Sequence, residues 1–136
     1  MRNLLIIFAL VSCLVSCQKN LDERAEKEAK DFTTKYCPTP EKNFERTDSM
    51  TYEKSSKTFI YWKTLSGNAD DKQLLNKNKD KLHEAILEVV NNNTNLQLYK
   101  ENGFTFRYVF HSASHPSEVL LDFSYGPKEY NNKRLP

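Results

Sequence analysis

Two short segments near the C-terminus alternate apolar and polar residues with the period of two that is typical of a half-buried β-strand. They are "FTFRYVFHS" (104–112) and "EVLLDFSYG" (118–126). A turn through "ASHPS" would pair Phe110 with Leu121 and Phe106 with Tyr125 across an antiparallel hairpin. One face of both strands then carries bulky side chains that must be covered, so these segments predict a sheet with a one-sided core.

A second hairpin is predicted by "TDSMTYEKSSKTFIYWKTL" (47–65), in which "KSSK" joins two runs rich in threonine and aromatic residues. Pairing Lys54 with Lys57 places Tyr52 opposite Phe59. The same register sets three further pairs: Met50 with Tyr61, Ser49 with Trp62 and Asp48 with Lys63. One face of this hairpin is therefore apolar, and the other carries a single large aromatic, Trp62.

A helix is predicted before each hairpin. In "NLDERAEKEAKDFTTKYC" (20–37) one apolar stripe recurs at helical spacing, through Leu21, Ala25, Ala29, Phe32 and Tyr36. This stripe indicates either a helix packed on its own domain or a short coiled-coil arm. In "ADDKQLLNKNKDKLHEAILEVVNNNT" (69–94) the helical face runs through Leu75, Leu82, Ile86 and Val89.

The resulting element order is helix, hairpin, helix, hairpin. This α-β-β-α-β-β order predicts an α+β fold with an antiparallel sheet of about four strands, on whose apolar face the helices pack. The predicted domain covers residues 20–130, and residues 131–136 are expected to form a loosely ordered tail.

The N-terminal stretch "MRNLLIIFALVSCLVSC" has one positive residue, Arg2, then an almost wholly apolar run and small residues before its last cysteine. This is the layout of a secretory signal peptide. The apolar run is shorter than the roughly 20 residues that a membrane-spanning helix needs. The sequence therefore predicts export.

The doubled "LVSC" resembles the lipobox of bacterial lipoproteins, in which a cysteine receives a diacylglyceryl group and the signal is cut just before it. Both Cys13 and Cys17 match the motif. Cleavage before Cys17 places the polar "QKN" directly after the lipid, whereas cleavage before Cys13 would leave "LVS" on the mature side. The prediction is a cleaved signal over residues 1–16, lipidation at Cys17 with Cys13 as the alternative, and a tether over residues 17–19.

The resemblance also bears on location. In lipoproteins an Asp after the lipidated Cys favours the inner membrane, and Gln18 is not Asp. The stretch "QKNLDE" resembles export signals on surface lipoproteins of Gram-negative gut bacteria, and the mature sequence resembles small envelope lipoproteins without a known activity. The resemblance implies an outer-membrane lipoprotein, facing the periplasm or the cell surface.

Composition excludes several classes of protein. The chain has 20 Lys and Arg against 18 Asp and Glu, interspersed rather than grouped, so a nucleic-acid partner is not expected. After cleavage before Cys17, Cys37 is the one thiol without a lipid, which excludes a disulfide scaffold. No cofactor is implied.

Catalytic and metal chemistry has weak support in the sequence. A thiol enzyme could use Cys37 with His111 as its base. The i, i+4 spacing of His111 and His115 suits zinc on a helix, but these residues flank a strand end, and His83 lies apart on the second helix. The expectation is a protein that is not an enzyme and has no metal site.

The second face of the sheet is the predicted interaction surface. It carries Trp62, Ile60, Arg107, Val109, Leu120 and Asp122. If the N-terminal helix covers this face, its residues are ordinary core and Trp62 is a packing residue; if the helix leaves it open, an aromatic patch with polar neighbours would suit a protein or glycan partner. Asp48, Ser49 and Met50 also resemble a bacterial O-glycosylation acceptor, with Ser49 as the modified residue.

Together these features predict a lipid-anchored, non-catalytic binding domain of the bacterial envelope. Two alternatives belong to other classes. One is a small inhibitor or immunity-type protein, and the other is the thiol enzyme based on Cys37.

Overall fold

A four-stranded sheet with the spatial order β1-β2-β3-β4 organises the chain. The computed structural model describes residues 20–131, so the predicted signal, the tether and the tail beyond Asn131 lie outside the described residues. The elements, in chain order, are α1 (20–36), β1 (Glu45–Glu53), β2 (Thr58–Leu65), α2 (Lys72–Lys77), α3 (Lys79–Asn92), α4 (Gln97–Glu101), β3 (Thr105–Ser112), β4 (Val119–Tyr125) and α5 (Pro127–Asn131). None of the helices described over this range has the length and apolarity needed to cross a bilayer.

The predicted α+β class with four strands and packed helices is confirmed, but the sheet is mixed rather than antiparallel throughout. The two hairpins β1–β2 and β3–β4 are antiparallel. They meet through β2 and β3, which run parallel, with Thr58 beside Thr105 and Leu65 beside Ser112. The helical connection between β2 and β3 returns the chain to the end of the sheet at which β2 begins, and such a crossover makes neighbouring strands parallel.

The predicted hairpin registers are confirmed over most of their length. Tyr52 faces Phe59 and Ser49 faces Trp62. In the second hairpin Phe110 faces Leu121. A register shift between Thr47 and Ser49 corrects the prediction at one place, because Thr47 rather than Asp48 pairs with Lys63.

The hydrophobic core lies on one face of the sheet, where side chains from all four strands meet the helices. Its fully buried aromatic residues are Phe59, Tyr99, Phe104, Phe106 and Tyr125. Val90 of α3 is 0% exposed within the same cluster. The core is thus built from alternating strand positions and one face of each packed helix, as the two-residue period predicts.

Helix α1 packs on its own domain, which decides between the two alternatives for its apolar stripe. Ala25 and Ala29 are buried in the core, where their small side chains allow the helix to approach the sheet closely. The Tyr52 hydroxyl donates to Asp22, and the Thr33 hydroxyl donates to the Met50 carbonyl at 2.8 Å. The sequence therefore folds α1 onto the edge strand β1 rather than into a separate arm.

Candidate functional site

The predicted interaction surface lies on the sheet face opposite the core, and the helices of the described chain pack on the core side. The Trp62 indole donates to the Thr51 hydroxyl at 2.9 Å and stacks on His111 with 6.1 Å between ring centroids. Below these rings Ile60 and Val109 are buried, with Val109 2% exposed. The structure therefore brings Trp62, Ile60 and Val109 together on a face that no described helix packs against.

An ion pair extends this outer face. Arg107 donates to Asp122 through two nitrogens, at 2.9 and 2.6 Å. The bond from Arg107 lowers the pKa of Asp122, and the same contact raises the pKa of Arg107. Both side chains are half-exposed, so the pair stabilises the fold little and leaves a charged edge beside Trp62.

Leu120 corrects the predicted composition of the outer face. It is 7% exposed and belongs to the core cluster. The register of β3 and β4 shifts between Phe110 and His111, so that His111 pairs with Val119 and Leu120 becomes an extra residue. A bulge of this kind changes the direction of one side chain relative to simple alternation.

Ser49 lies within β1, paired with Trp62 on the outer face. Its side chain is half-buried. Glycosylation at Ser49 remains a prediction.

The residues proposed for thiol chemistry are placed unfavourably for it. Burial and then the Asp48 carboxylate raise the pKa of Cys37, which disfavours the thiolate nucleophile. His111 is stacked on Trp62, and the His83 ring packs 4.9 Å from that of Tyr125. Over residues 20–131, no group of three or more His, Cys, Asp or Glu side chains is arranged to hold a metal ion.

A polar cluster that sequence patterns did not indicate organises the turn between β3 and β4. Asp70 accepts hydrogen bonds from the Ser114 amide at 2.9 Å and from the Ser114 hydroxyl at 2.7 Å. The His115 amide donates to the buried Ser112 hydroxyl at 2.9 Å. The hydroxyls of Ser112 and Ser114, followed by the Ser114 amide, lower the pKa of Asp70 to about 2. This cluster fixes the turn beside the outer face.

We expect the Asp70 cluster to stabilise the fold above the carboxyl's ordinary pKa of 3.8 and to lose that contribution as pH falls through about 2. The folded-state pKa is the lowered one, so protonation favours unfolding. Carbon-detected NMR titration should give a midpoint near 2 for Asp70, and Ser114→Ala should move it upward. The control Ser117→Ala, in the same turn, should leave the midpoint unchanged; an equal shift in both variants would contradict this account.

An apolar groove lies on the helix side of the sheet, and we call it the α3 groove. It has a volume of about 360 Å³ and is open to solvent. Its lining consists mainly of apolar side chains from α3, β2, β3 and β4, among them Leu65, Leu82, Ile86, Val89, Phe110 and Leu121. An adjoining depression of about 560 Å³ shares Ala69, Leu75, Leu82 and Ala85 with it and adds Phe44 and Leu74.

The groove exists because α1 covers only part of the sheet. Its last turns lie beside Met50 through Thr33, so the half of the sheet nearer Leu65 is flanked by α3 on one side and by the segment at Phe44 on the other. Phe44 packs against Gly67, where an added Cβ would lie 2.9 Å from the Phe44 ring. Gly67 has a φ of +50°, so both space and backbone conformation favour glycine there.

Three large apolar side chains around the groove and the adjoining depression are exposed to solvent. Val89 is 59% exposed, Leu74 49% and Phe44 46%. The predicted helical face placed Val89 in the core, but Leu82 and Ile86 of that face are partly buried against the core while Val89 is exposed. In α3, Leu87 and Val90 are buried instead. The apolar stripe of α3 is therefore wider than the surface that the helix buries against the core, and this extra width is the sequence signal for the groove.

The groove contains few polar groups, among them one ion pair. Lys63 donates to Glu45, and its Nζ lies 6.0 Å from the centroid of the Phe110 ring. The Lys63 side chain is 15% exposed, so the ion pair sits within the apolar surroundings. Burial, with the Glu45 carboxylate adding to it, raises the pKa of Tyr108 to about 12, so this groove residue is neutral at physiological pH. The apolar lining suits an apolar ligand.

Comparison with known proteins adds a family and a set of structural neighbours. Residues 20–121 match the family described as Domain of unknown function (DUF8479). No curated protein matches the sequence.

Three solved structures share the fold. A protein from Pseudomonas aeruginosa assigned as secreted is 15% identical, with a TM-score of 0.70, and the alignment covers 83% of this chain and 95% of that one. The pilotin EpsS from the type 2 secretion system of Vibrio vulnificus is 10% identical, with a TM-score of 0.63 and coverage of 83% and 94%. The type II secretion system pilotin AspS from Vibrio cholerae is 16% identical, with a TM-score of 0.59 and coverage of 85% and 97%.

At these low sequence identities, the similarity to the three structures establishes the fold alone. The resemblance to lipoproteins of gut bacteria receives no support from these matches.

Proposed function

Since the chain belongs to the family described as Domain of unknown function (DUF8479), whose description assigns no activity, we propose a function from the site itself. The protein is a lipid-anchored, non-catalytic lipoprotein of the bacterial envelope that binds an apolar segment of a protein partner in the α3 groove. The observation that carries this proposal is the solvent-open groove with Val89, Leu74 and Phe44 exposed around it. Exposed apolar surface of this kind is costly in water unless a partner covers it.

The chemistry of the groove favours a peptide segment as the occupant. Its apolar walls would receive apolar side chains, while the Lys63–Glu45 pair offers one polar contact within them. Lys81, which is exposed in the adjoining depression, adds a positive charge beside the same surface. An apolar segment with an acidic neighbour therefore complements this site.

The neighbours support the same class of function. Two of them are pilotins of type 2 secretion systems, and a third is assigned as secreted. Together with the lipobox resemblance, they favour anchoring through Cys17, or otherwise Cys13, after removal of residues 1–16. The proposed location is the outer membrane, with the domain on the periplasmic face or the cell surface.

Site-specific photocrosslinking in living cells tests the groove. A benzoylphenylalanine placed at Val89 should yield one discrete crosslinked envelope protein, because Val89 lines the groove and is 59% exposed. The matched position is Val119, a 45% exposed valine on β4, which should give none. Mass spectrometry of the product identifies the partner.

A second experiment tests the groove by placing a charge in it. Val89→Arg should remove most of the product crosslinked from a second probe at Leu74, whereas Val119→Arg introduces the same charge elsewhere and should preserve it. A product obtained from position 119 alone would instead assign partner binding to the outer face around Trp62. A discrete product from neither position would contradict the proposed function.

A further inference from the structure

The sheet has two distinct ends. At one end lie the β1–β2 turn, the start of β3 and the end of β4, because β2 and β3 are parallel and each hairpin is antiparallel. The Thr105 amide donates to the Lys57 carbonyl at 2.9 Å there. The first described turn of α1 reaches the same end, since the Tyr52 hydroxyl donates to Asp22. We call this the anchor end.

The α3 groove opens at the opposite end. Its strand residues come from the last parts of β2 and β3, such as Leu65 and Phe110, and from Leu121 near the start of β4. Seven residue steps of β2 separate Thr58 from Leu65, which corresponds to about 23 Å. The strand residues of the groove therefore lie in the half of the sheet farther from the anchor end.

The tether is short relative to this distance. Three residue steps join Cys17 to Asn20, the first described residue of α1, and a chain of this length spans at most about 11 Å. A lipid at Cys17 would thus keep the first turn of α1 close to the bilayer.

Exposed lysines at the anchor end can reach an anionic surface. Lys54 and Lys128 are exposed there, and the Lys57 ammonium lies 5.8 Å from the centroid of the Phe104 ring. Three of the acidic side chains at this end accept hydrogen bonds within the domain: Glu53 from Ser56, Asp22 from Tyr52 and Glu129 from the Gly126 amide. These hydrogen bonds hold three carboxylates to the domain, whereas the exposed side chains of Lys54 and Lys128 can extend to phosphate groups.

We propose that the anchor end, through Lys54, Lys57 and Lys128, rests on an anionic phospholipid surface, and that the α3 groove faces away from the bilayer. This inference rests on the lipid anchor of the proposed function. It specifies that the groove takes its partner from the aqueous side and that the lipid is not its ligand.

Depth-dependent fluorescence quenching tests the orientation. The lipidated full chain is reconstituted into vesicles of phosphatidylethanolamine and phosphatidylglycerol that contain a headgroup spin-labelled lipid. In a Trp62→Phe background, which removes the one native tryptophan, Ser55→Trp reports the anchor end and Asn68→Trp reports the groove end; both positions are exposed. A several-fold larger loss of fluorescence from position 55 than from position 68 is expected.

Charge-matched triple variants test the lysines. Replacing Lys54, Lys57 and Lys128 with Gln should reduce quenching at position 55, whereas replacing Lys77, Lys79 and Lys81 at the groove end should not. Equal or greater quenching at position 68, equal effects of both triple variants, or absence of lipid at Cys17 by mass spectrometry would overturn the orientation. Photocrosslinking at Val89 does not depend on these readouts, so failure of the orientation and failure of partner binding can be told apart.

Discussion

Replacement of Cys17 by alanine is expected to abolish incorporation of labelled palmitate, because it removes the thiol that would carry the lipid. Each buried methylene of an acyl chain contributes about 0.8 kcal/mol to membrane binding, so two or three chains give the unsubstituted protein stable attachment. The measurement is palmitate labelling followed by fractionation of the cells.

Cys13→Ala is the matched control, because it changes the same residue type within the other copy of "LVSC". This variant should keep both its label and its membrane association. The reverse pattern, with label retained in Cys17→Ala and lost in Cys13→Ala, would place the lipid at Cys13.

Truncation of a central core aromatic should have the largest effect on stability. Phe106→Ala is expected to lower the free energy of unfolding by about 3–5 kcal/mol, because the side chain is 0% exposed and removal leaves a cavity. Phe106 stacks on Phe59 with 6.1 Å between ring centroids and adjoins Tyr130 at 6.2 Å. Urea denaturation of the mature domain measures the loss, and Phe106→Leu should recover part of it if Phe106→Ala is too unstable to purify.

Phe44→Ala provides the comparison for this stability prediction. Phe44 is 46% exposed at the rim of the groove, so its truncation should cost about 1 kcal/mol or less. Similar losses from both variants would mean that the core is not centred on β3.

The hairpins could be predicted from sequence because they depend on local information. Alternation fixes which side chains share a face, and the short "KSSK" turn fixes which residues are opposite, so Tyr52 with Phe59 follows from chain order alone. The pairing of β2 with β3 is different. It depends on the path of α2, α3 and α4 between the two strands. The alternation of apolar and polar residues is the same whether neighbouring strands run parallel or antiparallel, so it does not predict the relative direction of β2 and β3.

The candidate site could be predicted in part. Alternation placed Trp62, Ile60, Arg107 and Val109 on the outer face, but the bulge that turns Leu120 into the core leaves no mark in the two-residue period. The α3 groove could not be predicted, because it depends on where α1 and α3 lie relative to the sheet. Both effects follow from how separate elements pack.

The sequence by itself determined the α+β class, the two hairpins and the apolar stripe of α1, since these follow from periodicity and from neighbours close in the chain. Its doubled "LVSC" also supplied the prediction of an anchor at Cys17. Tertiary structure alone decided that the central strands are parallel, that α1 packs on the core side and that Val89 remains exposed. These outcomes depend on contacts between residues that are distant in the chain. Several elements compete to cover the same apolar surface, so their packing cannot be predicted from any one segment alone.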